Sequence, residues 1–185
     1  MNEIVVVGNG PSLLDKYNGK KINSFRNVLR FNYFTTLNYE RYVGEKTTMW
    51  FTGTGYEPDN WRNKLNYDRI FLFSWQKDLD ICKPYLKFKE NITQCPVEFV
   101  DHKYILDIQD YMKNKKYTTY SSGAICIQLL LNLYDQITIT GFDWWEKRSQ
   151  HHYYSKSGTL GPLHDPNIEK EYIFKLVSEN KIVFL

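Results

Sequence analysis

Apolar positions in this chain fall into short unbroken runs. These runs alternate with segments of helical spacing and with polar turns. Ile4–Val7 is a continuous β-branched run, the pattern of a strand buried on both faces of a parallel sheet. It stops at Gly8-Asn9-Gly10-Pro11-Ser12, a turn whose Pro11 suits the first turn of a helix near Ser12-Leu13-Leu14. Asn27–Phe31, 48–52 and 69–74 predict three further strands, and 97–100 a short one. Residues 105–113 have helical spacing, and the apolar run 124–133 after Ser122-Gly123 is long enough for a buried helix. Residues 136–140 predict a strand ending at Gly141-Phe142-Asp143; 168–179 a helix; 182–185 a last strand. The polar, aromatic stretch 144–167, with its Gly and Pro, reads as a loop or lid over a site.

Alternating strands and helices predict an α/β class: one Rossmann-like domain over residues 1–185, its mostly parallel sheet flanked by helices. A chain of 185 residues suits one core. Ligands of such sheets bind outside the carboxyl ends of the strands. Gly8–Ser12, Asn32, 52–55 and Gly141–Asp143 gather at that edge.

Composition narrows the choice of partner. The net charge is only +3, and no Lys/Arg run is long enough for a nucleic-acid stripe, so no nucleic-acid partner is expected. The densest basic patch, Lys113-Asn114-Lys115-Lys116, reads as a solvated loop or a contact to an anionic acceptor or membrane surface. Three cysteines, at 82, 95 and 126, without a CxxC or Cys/His spacing, suggest reduced thiols and a cytoplasmic setting. No stretch is long and apolar enough for a signal peptide or a membrane span, which leaves peripheral association at the inner face of a membrane open. The 15 Tyr, 11 Phe and 5 Trp fit an A/T-rich coding sequence, with a few aromatics serving a sugar site.

The residues suited to chemistry follow the same edge. Gly8-Asn9-Gly10 after a buried strand allows close approach to a phosphate. A nicotinamide dinucleotide fits poorly, because Leu13 stands at the third glycine position and Arg30 and Asn32 stand where an acid is needed. Ser121-Ser122-Gly123 reads as a helix cap or an anion contact. His164 suits a general base; Glu169, five residues on, could orient it or support the loop. Adjacent His151 and His152 do not face one way, and Asp78-Leu79-Asp80 lies in a polar stretch, so no metal site is expected.

In order and spacing, these patterns resemble sialyltransferases of glycosyltransferase families twenty-nine and forty-two. Residues 6–13 and 28–32 resemble the two ends of the family's large motif, and 121–142 its small motif. His152-Tyr153-Tyr154 resembles the third motif, and His164 with Glu169 the very small one. The resemblance implies a variant GT-A fold and an inverting, metal-independent transfer of sialic acid from its CMP donor to a surface glycan such as lipopolysaccharide or capsule. It implies that Gly8, Asn9, Gly10, Ser12, Asn32, Ser121, Ser122, Gly123, Gly141, Phe142 and Asp143 hold the donor. His164 becomes the base; Tyr153 or Tyr154 binds the departing phosphate; His152 and Glu169 support them. No cofactor is implied; the partners are a CMP-sugar and a glycan acceptor, with self-association open. Ser155 replaces the acid usual after the third motif, and Ile4 and Tyr134 stand near the positions of the animal-type disulfide. Both departures point to a bacterial, cytoplasmic type. The alternatives are another CMP-sugar such as CMP-Kdo, a nucleotide-binding oxidoreductase, or a non-catalytic binding module.

Overall fold

The computed structural model describes residues 3–53, 67–75, 95, 97–144, 151–155 and 164–185. Thr54, Gly55, Asp78–Asp80, Cys82 and much of the expected 144–167 lid lie outside the described residues. Seven strands form one sheet: β1 (Ile4–Val7), β2 (Asn27–Phe31), β3 (Met49–Gly53), β4 (Arg69–Phe73), β5 (Val97–Phe99), β6 (Ile137–Thr140) and β7 (Ile182–Phe184). Their order is β5-β4-β3-β2-β1-β6-β7, and every described pairing is parallel. The register places Val5 beside Val28 and Thr138, and Val7 beside Arg30 and Thr140.

Both faces of the sheet are covered, which is why β1 is buried throughout. Because side chains alternate along a strand, Ile4 and Val6 enter one layer and Val5 and Val7 the other. The larger layer holds helices α3 (Lys103–Met112), α4 (Ser122–Leu130) and α5 (Pro166–Ser178). The opposite layer holds a 3₁₀ turn at Pro11–Asp15 and two short helices, α1 (Gly19–Asn23) and α2 (Glu40–Val43). Four- and five-residue helices are too short to show a period, so the spacing did not reveal them.

One buried charge shapes this second layer. The Arg30 side chain, 1% exposed, donates to Thr47 Oγ1 (2.9 Å) and to the carbonyls of Val43 (2.6 Å), Gly44 and Lys46. Burial lowers its pKa to about 10. Its hydrogen bonds fix the turn from α2 into β3.

Candidate active site

The chain leaves β1 toward β2 on one side and returns to β6 on the other. The carboxyl ends of β1 and β6 are therefore the topological switch point, where open α/β sheets form their ligand crevice. The two loops there meet closely. Gly8 N–H donates to Thr140 O (2.8 Å), and Gly10 N–H to Gly141 O (2.9 Å). A Cβ on Gly8 would stand 2.3 Å from Gly141 O. Gly141 itself has φ +72°, where an L side chain is strained, and a Cβ there would strike Leu13. The Asp143 carboxylate accepts from Ser12 N–H (2.8 Å) and from the Ser12 hydroxyl.

This corrects the reading of the first loop. The amides of Gly8 and Gly10 and both polar groups of Ser12 serve loop-to-loop contacts, and the anion at the start of the 3₁₀ turn is the protein's own Asp143. Asn9 is committed as well. Its Nδ2 donates to Tyr33 O (2.9 Å) and Phe31 O (3.4 Å), so it ties the first loop to the end of β2. Asn32, at φ 41°, accepts from Gly53 N–H through Oδ1 (3.1 Å) and keeps Nδ2 as a donor.

A second helix start stands open. Ser121 caps α4, accepting from Ala124 N–H (3.3 Å). Its own N–H and hydroxyl donate to the two carboxylate oxygens of Glu169, each at 2.5 Å. Ser121 is thus a cap and latch, and Glu169 supports the loop rather than orienting His164. The next two amides, Ser122 and Gly123, have no acceptor among the described residues, and unpaired amides at a helix start favour an anion. The Phe142 ring lies against Gly123, where a Cβ would come within 2.9 Å of it, and meets Phe31 edge-on at 6.1 Å. Burial pushes the Glu169 carboxyl up to about 7, against the opposing pull of its two Ser121 hydrogen bonds and with a smaller push from Asp165.

His164 closes this end. Its Nδ1 lies 2.7 Å from Thr119 O. A carbonyl only accepts, so the neutral ring carries its proton on Nδ1 and its lone pair on Nε2, the tautomer of a base. Thr119 is two residues ahead of the Ser121 cap, which sets this imidazole beside the open start of α4. Trp75, at the carboxyl end of β4, has its ring 6.4 Å from that of His164. His102 contacts Ser74 O (2.6 Å) through Nε2 and lies 5.3 Å from Phe73. The sequence reading passed over Trp75 and His102, although the strand-end rule that selected Asn32 applies equally to Trp75.

The 151–155 segment belongs to the other layer. Tyr153 is 2% exposed; its N–H donates to Asn9 O (2.9 Å) and its hydroxyl to Thr35 O. The Tyr154 hydroxyl donates to Tyr33 O (2.8 Å). Both phenol protons therefore go to backbone carbonyls after β2, which anchors this segment to that loop. His152 stacks on Tyr154 (5.1 Å, 13°). Burial, then the neighbouring His151, pushes its pKa down to about 4, so the ring is neutral near pH 7. Among the described residues no His/Cys/Asp/Glu group could hold a metal ion.

Of the expected site residues, Asn32, Ser122, Gly123, Phe142 and His164 present chemistry to the strand-end edge; Gly8, Asn9, Gly10, Ser12, Ser121, Gly141, Asp143, Tyr153, Tyr154 and Glu169 hold that edge in shape. Fold and site together define a Rossmann-like domain, with an anion-favouring helix start at the same end as the His164 imidazole. The chain belongs to glycosyltransferase family 29 (sialyltransferase), whose profile matches residues 1–181.

It is 26% identical over 202 residues to the zebrafish (Danio rerio) beta-galactoside alpha-2,6-sialyltransferase 2, matching 92% of this chain and 38% of that protein. It is 25% identical over 194 residues to the Arabidopsis thaliana beta-1,6-galactosyltransferase GALT29A, matching 90% of this chain and 48% of that one. The chain thus spans less than half the length of either relative. The crystal structure of a mammalian sialyltransferase superposes with a TM-score of 0.74 at 24% identity, over 100% of this chain and 68% of the other. The sialyltransferase CstII from Campylobacter jejuni, in complex with cytidine-5'-monophosphate, superposes at 0.61 and 18%, over 100% and 80%. These likenesses show the fold. The bacterial type expected from Ser155 and the absent disulfide is not borne out, since the matching profile is that of family 29.

Proposed function

We propose that this chain is the donor-binding and catalytic domain of an inverting sialyltransferase that needs no metal. It moves sialic acid from CMP-sialic acid to a hydroxyl of a galactoside-bearing glycan. The observation that carries this reading is the Nδ1–H of His164 held by Thr119 O, which presents Nε2 as a base beside the open start of α4. The CMP phosphate sits on the amides of Ser122 and Gly123 and the Nδ2 of Asn32, with the cytosine against Phe142. The acceptor oxygen bonds to the anomeric carbon as the bond from that carbon to the phosphate oxygen breaks. Its proton passes to His164, and CMP leaves with the bonding electrons. One in-line displacement inverts the anomeric centre. A monophosphate leaving group carries less charge than a diphosphate, so neutral amide donors and the helix start stabilise it without a divalent ion.

The zebrafish and mammalian relatives, which are sialyltransferases, support sialic acid as the sugar; the plant relative, a galactosyltransferase, supports galactose as the second reading. The buried thiol of Cys126 supports a reducing compartment, and among the described residues no helix is long and apolar enough to cross a membrane.

The test is transfer from CMP-sialic acid to lactose in EDTA, with CMP-Kdo and UDP-galactose alongside. His164→Ala lowers the chemical step by about 10²–10⁴-fold, the scale of a positioned general base, while CMP binding survives. Loss of CMP binding with the rate makes His164 structural. Transfer from UDP-galactose alone selects the second reading.

A further inference from the structure

The mechanism above leaves unused an exposed aromatic side chain at the strand-end edge. Trp75 follows Ser74 at the carboxyl end of β4 and is 47% exposed. It is held edge-on against the buried ring of Phe73 (5.1 Å, 86°). Below it, His102 contacts Ser74 O and flanks Phe73, so the indole projects from a braced strand end. Its ring centre lies 6.4 Å from that of His164, with the planes inclined by 34°. A lone exposed aromatic is unremarkable elsewhere on a surface. Here it stands beside the imidazole that takes the acceptor proton, at the edge where ligands of this sheet collect.

We propose that Trp75 is the acceptor platform, stacking its exposed indole face on a neutral, galactose-type pyranose and setting one hydroxyl of that sugar at His164. The inference rests on His164 being the base of the proposed transferase. The chemistry selects the occupant. A pyranose is apolar only on the faces that carry C–H bonds. The axial 4-hydroxyl of galactose leaves a continuous run of C–H groups on one face, which a flat indole covers without stranding a polar group. The hydroxyls lie at the rim of a ring so stacked, where a base approaches them at hydrogen-bond distance. Indole carries no charge, so the platform suits an uncharged sugar. Trp75 thereby fixes acceptor position without taking part in bond making.

The experiment reads binding of methyl β-galactoside by saturation-transfer NMR in the presence of CMP, with and without turnover. Trp75→Ala weakens that binding about 10-fold, the upper range for a lost aromatic stack, and Trp75→Phe restores most of it. Phe174→Ala removes an aromatic of similar exposure, 46%, on the outer side of α5 and leaves the affinity unchanged. Where the chain turns over, Trp75→Ala raises the acceptor KM far more than it lowers kcat. A CMP-induced rise in the midpoint of Trp75→Ala shows that the variant is folded. Undiminished galactoside binding by Trp75→Ala overturns the proposal. So does equal loss in Phe174→Ala, or absence of binding to the unaltered chain. Failure of the transferase reading appears separately, as no midpoint rise with CMP in the unaltered chain.

Discussion

Glu169 is a carboxyl group held between opposing forces. Only 5% exposed, it accepts two hydrogen bonds from Ser121, which favour its anion, yet burial prevails and raises its pKa to about 7 from 4.5. The unfolded chain therefore releases this proton first, and the contribution of Glu169 to stability falls as pH rises from about 4.5 to about 7. His152 acts the other way. Its pKa is lowered to about 4 from 6.5, so its contribution is present above 6.5 and is lost as pH falls toward 4. Thermal midpoints across this range resolve the two. The midpoint of Glu169→Gln gains on that of the unaltered chain as pH rises through the first window, by an amount corresponding to at most about 3 kcal/mol. His152→Phe gains as pH falls through the second. Parallel profiles would place both titrations elsewhere. The sequence showed a His and a Glu five residues apart; that the Glu reaches Ser121, across 48 positions, depends on how α5 packs on α4.

At the scale of elements, the loop after β1 illustrates how a correct motif carries a different cause. Gly8-Asn9-Gly10 was legible as a tight turn after a buried strand. Its close neighbour, however, is the loop after β6, more than 130 residues away in the chain, and no local pattern names that partner. Gly8→Ala drives a Cβ against the Gly141 carbonyl, backbone against backbone, with no flexible side chain to yield. Chemical denaturation should register a loss of about 1–3 kcal/mol, the usual range for overpacking. A neutral result would mean that the two loops part easily. The clearest elements were legible for a simple reason: β1, and β4 after Arg69, are continuous apolar runs, because a strand covered on both faces keeps few polar positions; β2 was legible despite Asn27 and the buried Arg30.

For the whole molecule, segment 151–155 joins the loop after β2 to the loop after β1 on the sheet's second face. Tyr153 bridges 118 positions to Thr35, and Tyr154 bridges 121 to Tyr33. Tyr153→Phe removes one phenol donor and should cost about 1 kcal/mol of stability, the net value of a typical hydrogen bond, with kcat nearly unchanged. A large fall in kcat at unaltered stability would return Tyr153 to the departing phosphate. This architecture also brings the proposed base toward the start of α4. His164 lies near the end of the 144–167 stretch, but Thr119, just before α4, receives its Nδ1–H and leaves Nε2 as the ring's lone-pair nitrogen.

The sequence by itself determined the α/β class, the strands of a parallel sheet, the edge at which ligands collect, and the family to which the motifs belong. Each of these depends on local periodicity or on residue order, and both are written along the chain. Only the tertiary structure decided what each polar group does there. Hydrogen bonds and close contacts between distant loops are set by strand order and layer packing. These commit Asp143 to Ser12, Glu169 to Ser121 and the two tyrosines to Tyr33 and Thr35.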